Sequence, residues 1–182
     1  MTVNRVRRTA RSAGLLAVVA AAALSLTAFH SGGGDAGAAT AATAASPVRT
    51  QPLPDGSKAE IYKLGARHYR LKMVHRGDVL ATMEANRHDA GLDANDMFIV
   101  LTPDGRVQSW MGGGHEGPGT FRLMGGWTAK VTKAGEGHYR ARILGDAGGV
   151  SATLDANEHD AGVEVDRVYV VLSAGGVISA HT

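Results

Sequence analysis

The chain has 182 residues, 44% hydrophobic and 20% charged, with 25 glycines and no cysteine, so it forms one or two domains with neither disulfides nor thiolate metal ligands. Its formal charge of +2 belongs to the N-terminus, because without residues 1–38, which hold four Arg and one Asp, 15 basic residues face 16 acidic ones for a net of −1. A near-neutral remainder lacking a basic block or interleaved aromatics argues against nucleic acid and anionic membrane as partners.

Arg5, Arg7, Arg8 and Arg11 precede an apolar run of 16 residues, Gly14 to Phe29. This has the form of a secretory signal and falls short of the roughly 20 residues that a membrane-spanning helix needs. We therefore read residues 1–29 as a signal, with Ala36-Gly37-Ala38 offering cleavage as late as 38. Leu26-Thr27-Ala28 resembles the opening of a lipoprotein box, but Phe29 stands where a lipid-bearing cysteine would be. Residues 30–51 are rich in Ala, Gly and Thr and have too little apolar bulk to order themselves, so a disordered leader is expected. The expected location is extracellular or in the cell wall.

Residues 52–182 are read as a single all-β domain. Ala85-Asn86-Arg87-His88-Asp89-Ala90-Gly91 returns 71 residues later as Ala156-Asn157-Glu158-His159-Asp160-Ala161-Gly162. His68-Tyr69-Arg70 matches His138-Tyr139-Arg140, and Val100-Leu101 matches Val171-Leu172. Such self-similarity points to two repeats, placed at 59–110 and 129–181 and joined by a Gly-rich linker, 111–128. Period-two patterning and recurrent Gly turns predict about five strands in each: 59–64, 67–74, 78–85, 96–102 and 105–110, then 129–134, 137–144, 149–156, 167–173 and 176–181. Phe121-Arg122-Leu123 adds a candidate edge strand within the linker. Two such halves would close into an antiparallel β-barrel or pack as a β-sandwich.

Tyr69, Leu71 and Met73 alternate with His68, Arg70 and Lys72, giving one apolar and one cationic face. Treating His75-Arg76-Gly77 as a three-residue loop, and Gly145-Asp146-Ala147-Gly148 as its longer counterpart, sets His68 opposite Glu84 and His138 opposite Asp155. It also sets Arg70 opposite Thr82 and Arg140 opposite Thr153. Thr102-Pro103-Asp104-Gly105 predicts a tight turn with Gly105 at positive φ. Met97 to Leu101 and Val168 to Leu172 are apolar on both faces and should be central, with Phe98 opposite Trp110 and Tyr169 opposite His181.

The repeated loop supplies the candidate binding residues Asn86, His88, Asp89, Asn157, His159 and Asp160. If the loops met, His88, Asp89, Asp93, His159, Asp160 and Glu164 could hold a divalent metal, the one cofactor the chain suggests. No spacing matches a known metal motif, and the simpler reading is a strand connection whose Asn and Asp side chains bond nearby backbone. The His–carboxylate pairs invite an acid–base role, against which stands an ordinary solvent-facing cross-strand pair. Ser109 and Ser151 lack a nucleophile context, and His115-Glu116 lies in a stretch too Gly-rich to be held for catalysis. Trp110, Trp127, Phe121 and Tyr62 read more simply as core than as an aromatic surface. With no catalytic constellation, the expectation is a secreted non-enzymatic module binding an extracellular protein, peptide or glycan, a hydrolase inhibitor being one form. A metal-dependent enzyme and a structural envelope component are the alternatives.

Overall fold

The structure is a computed structural model that describes residues 46–182, so the expected signal and nearly all of the expected leader lie outside the described residues. In chain order, β1 (Arg49–Pro52), β2 (Lys58–Gly65), β3 (His68–His75) and β4 (Asp78–Asn86) form a first outer sheet, and β5 (Ala90–Ala94), β6 (Met97–Leu101) and β7 (Val107–Met111) a first inner sheet. There follow β8 (His115–Glu116), β9 (Gly119–Arg122), β10 (Thr128–Gly135), β11 (His138–Leu144), β12 (Val150–Asn157), β13 (Ala161–Val165), β14 (Val168–Leu172) and β15 (Val177–His181). Strands β9 to β12 make a second outer sheet, while β13, β14, β15 and β8 make a second inner one. The described chain is all-β and antiparallel, and none of its sheets closes into a barrel.

Three cores join the sheets. One lies between the first outer and first inner sheets, around Ile61, Leu71, Ile99 and Leu101. Its counterpart in the second half surrounds Val131, Ile143, Val170 and Leu172. The third, formed by Phe98, Val100, Trp110 and Val171, lies between the two inner sheets. This explains why β6 and β14 are apolar on both faces: alternate side chains enter different cores. Phe98 faces Trp110 and Tyr169 faces His181, as the patterning predicts.

Each half holds seven strands rather than about five, β1–β7 in one and β9–β15 in the other. The edge strand β1 was hidden by its polar, mostly exposed residues, whereas β9 overlaps the candidate edge strand expected at Phe121-Arg122-Leu123. Strands β5 and β13 were hidden because Ala-Gly followed by an acid reads as loop. The first strand thus begins at Arg49, inside the expected leader. The linker is likewise structured, with β8 pairing β15 and β9 pairing β10, so His115 and Glu116 sit on a strand.

The register of the outer hairpins differs from expectation by two residues. His75 pairs with Asp78 across a two-residue turn, Arg76 (φ 53°) and Gly77 (φ 97°), and Leu80 is the extra residue of a β-bulge. His68 therefore faces Asn86, Arg70 faces Glu84 and Lys72 faces Thr82. In the second half His138 faces Asn157 and Arg140 faces Asp155, with Ser151 the extra residue. The turn and the bulge together shift pairing by an even number, so inward and outward faces hold as assigned as far as the bulge, whereas Val79 and Val150 beyond it are exposed.

At Gly105 (φ 84°) and Gly176 (φ 90°) the glycine is required twice over. Besides the positive φ, an added Cβ would come within 2.6 Å of the Tyr69 ring and within 2.5 Å of the Tyr139 ring. The repeated His-Tyr-Arg and the repeated turn glycine are thus two sides of one contact. The two halves meet most closely where β5 passes β13. A Cβ on Gly91 would lie 2.5 Å from the Ala161 carbonyl oxygen, and one on Gly162 would lie 2.7 Å from the Ala90 carbonyl oxygen. Here backbone meets backbone, which only glycine permits. Gly91→Ala and Gly162→Ala should each cost about 3 kcal/mol through overpacking. Gly149→Ala, with nothing within 4 Å of an added Cβ, should change stability by less than about 0.5 kcal/mol. Urea unfolding of the three variants measures the contrast.

Candidate functional site

The repeated loops leave the outer strands β4 and β12 and enter the inner strands β5 and β13. In each, the residue after Asn is left-handed: Arg87 at φ 63° and Glu158 at φ 59°. Arg87 N–H donates to the Arg67 carbonyl (2.9 Å), and Glu158 N–H to the Gly137 carbonyl (3.0 Å). This bond reverses the chain and aims the aspartate two residues on at the opposite half.

The Glu164 N–H donates to Asp89 Oδ2 at 2.7 Å, and the Asp93 N–H donates to Asp160 Oδ2 at 2.7 Å. Each aspartate thus holds the inner strand of the other half, a reciprocal clasp around the Gly91–Gly162 crossing. Asp160 also accepts from Ala174 N–H at 2.8 Å. Asp93 accepts from Asp96 N–H at 3.1 Å, and Glu164 pairs with Arg106 at 2.8 Å. Burial pushes the Asp93 carboxyl above its ordinary range and the nearby Asp160 and Asp96 charges add to this, against the opposing hydrogen bond from Asp96.

Both His-Asp loops are therefore brought to one seam, but their side chains do not converge on a metal. No group of three or more His, Asp or Glu positioned to hold an ion occurs among the described residues. Asp93 and Glu164 lie on β5 and β13 rather than in the loops. Asp89, Asp93 and Asp160 accept from backbone amides, and Glu164 pairs with Arg106. His88, His159, Asn86 and Asn157 are exposed beside the clasp.

The outward face of each outer sheet carries a cluster whose arginine the sequence register misplaced. His68 Nε2 lies 2.8 Å from Glu84 Oε2, and Arg70 Nε donates to Glu84 Oε1 at 2.7 Å. Likewise His138 Nε2 lies 2.6 Å from Asp155 Oδ1, and Arg140 Nε donates to Asp155 Oδ2 at 2.7 Å. The histidines reach their carboxylates diagonally while the arginines sit directly opposite them. The His68 hydrogen bond, with that of Arg70, lowers the Glu84 pKa, and the Arg140 hydrogen bond, with that of His138, lowers that of Asp155.

Two open grooves flank the clasp, each built from both halves. The first, about 670 Å³, joins the Arg87–Ala90 loop to Thr153–Asp155 and Ala161–Val163, with Arg67 also lining it. The second, about 560 Å³, joins Glu158–Asp160 to Thr82–Glu84 and Ala90–Leu92. Every one of these segments in the first groove has its equivalent, 71 positions away, in the second. Their rims differ in charge, because Arg67 and Arg87 line the first whereas Glu158 takes the place of Arg87 in the second. Neither arginine makes an ion pair among the described residues. Sequence reasoning missed both arginines, and the only available signal was the Arg/Glu difference within the repeated loop.

Compared with protein-family models, with curated proteins and with solved structures, the chain matches none.

Asp160 holds two backbone amides and Asp89 one, so Asp160→Ala should destabilise more than Asp89→Ala, with costs of about 1–3 kcal/mol for each amide left unpaired; paired thermal melts give the order. Glu84 and Asp155 have folded-state pKa values below their unfolded ones, so their stabilisation is complete above the ordinary carboxylate range and is lost as pH falls through the lowered values. Between about pH 5 and 3 the parent should lose more melting temperature than the Glu84→Gln/Asp155→Asn double variant.

Proposed function

We propose that the chain is an exported, non-enzymatic binding module that engages an extracellular or cell-wall protein, peptide or glycan through its seam grooves. The observation that carries this reading is the pair of equivalent grooves with differently charged rims. The floor of each is stiffened by the aspartate clasp, which leaves side chains on the rim to meet a ligand. A rigid floor lowers the ordering cost of binding, and opposite rim charge allows the two grooves to select different ligands. The basic, apolar N-terminal segment supports export, and the near-neutral remainder supports a partner other than nucleic acid or membrane.

In the first groove Glu84 and Asp155 are already paired with His68, Arg70, His138 and Arg140, and Asp89 and Asp160 with backbone amides. Of the arginines and carboxylates that line this groove, Arg67 and Arg87 are the ones whose side chains are left without a partner among the described residues, and guanidinium forks suit carboxylates. The purified chain titrated with an oligoglutamate peptide should show amide shifts confined to residues 87–90 and 153–163. Affinity should fall about tenfold in Arg87→Glu and with rising salt, while Glu158→Arg leaves the first groove unchanged. Shifts spread elsewhere, or hydrolytic or transfer activity lost on His88→Ala or His159→Ala, would overturn the reading.

A further inference from the structure

One cavity shares no residue with the seam grooves and belongs to the second half alone. It measures about 720 Å³ and is open to solvent, within the range of small-ligand sites. Its walls are made where the second half departs from the first.

In the first half the turn from Leu53 to Ser57 fills itself. Ser57 N–H and Oγ–H both donate to Asp55 Oδ1, at 2.9 and 2.6 Å, and Ser57 is only 1% exposed. The same turn in the second half runs from Leu123 to Trp127, closed by the equivalent Leu123 N–H bond to the Trp127 carbonyl at 2.8 Å. There Gly125 stands at the position of Asp55, and Trp127 at that of Ser57. The carboxylate that filled the turn is gone, and an indole lines the opening. The β11–β12 turn, one residue longer than its counterpart, brings Asp146 to the same cavity, and the β13–β14 turn brings Asp166 and Arg167.

Positive φ at Gly125 (70°) and Gly126 (84°) keeps this wall bare of side chains. A Cβ on Gly126 would approach Asp146 Oδ1 to 3.3 Å, and one on Gly145 would approach Trp127 Cζ3 to 3.4 Å. The indole and the Asp146 carboxylate therefore border a glycine-walled space. None of Asp146, Asp166 and Arg167 has an ion-pair partner among the described residues.

The chemistry of this lining selects a ligand class. A wholly apolar ligand would leave two carboxylates and a guanidinium without hydrogen bonds. An anion would meet Asp146 and Asp166, and a cation would meet Arg167. A neutral molecule with one flat C–H face for the indole, and several hydroxyls for the carboxylates and guanidinium, satisfies all of them. We infer that this cavity is a saccharide-binding site, with Trp127 as the platform under a pyranose ring and Asp146, Asp166 and Arg167 as hydroxyl partners. It is a site additional to the seam grooves and stands or falls apart from them.

The two tryptophans make the test direct. Trp110 Nε1 donates internally to Ser179 Oγ at 2.8 Å, so its indole resonance serves as the control for that of Trp127. The full chain is titrated at millimolar concentration with cellotriose, maltotriose, xylotriose and chitotriose, and with tetramethylammonium as a cation probe. The expected result is a saturable shift of the Trp127 indole N–H with at least one saccharide and none with tetramethylammonium. Asp146→Asn, an exposed substitution that leaves the fold in place, should weaken that binding by at least about tenfold, and Trp127→Ala should abolish it. A Trp127 resonance unmoved by every saccharide, a shift with tetramethylammonium, or undiminished binding in Asp146→Asn would each overturn the assignment.

Discussion

The rest of the structure depends on the passage of β5 across β13 at Gly91 and Gly162, where two backbones touch with no side chain between them. A single methyl group at either position would push the inner sheets apart. The Asp89 and Asp160 carboxylates would then lose the Glu164 and Asp93 amides that they reach at 2.7 Å. The core of Phe98, Val100, Trp110 and Val171 would open at the same time. Close approach, charge-assisted hydrogen bonds and burial of the central strands are thus one cooperative feature, because each is satisfied only at the short separation that glycine allows.

This constraint assigns the repeated Asn-x-His-Asp-Ala-Gly loop to construction. Its aspartate accepts from a backbone amide of the opposite half, its glycine permits the crossing, and the residue between Asn and His turns the chain through left-handed φ. A carboxylate so engaged is a poor ligand for a metal and a poor base, since either role needs a lone pair directed at something outside the fold. The outward His–Arg–carboxylate clusters are similarly self-contained.

Some of the differences between the halves shape the grooves and the cavity. Arg87 against Glu158 sets the charge of one groove rim against the other. Trp127 against Ser57, Gly125 against Asp55 and the extra residue of the β11–β12 turn shape a cavity in the second half, whereas in the first half Asp55 accepts from Ser57. Trp110 and His181 occupy equivalent positions and stack at 5.7 Å, so even within the shared core the halves contribute different rings to one contact. A common scaffold holds the strands in place, and substitutions at its turns create the surfaces that the two halves do not share.

Much of this fold was legible in the chain because inward and outward faces follow from period-two patterning, and an even shift of register leaves that pattern intact. The central position of Met97–Leu101 and Val168–Leu172 followed from apolar residues on both faces, and positive φ at Gly105 from its turn. The β1 edge strand was not legible, since its pairing rests on backbone hydrogen bonds to a neighbour and leaves little trace in side-chain polarity. Nor were β5 and β13, where glycine and acid read as loop until the opposite half supplies the contact that explains both. The loop residues stood out because the same motif occurs twice in the chain. Only the tertiary structure decided what they do, because the hydrogen bond from the Glu164 N–H to Asp89 spans 75 positions and no local pattern encodes which distant amide a carboxylate will meet.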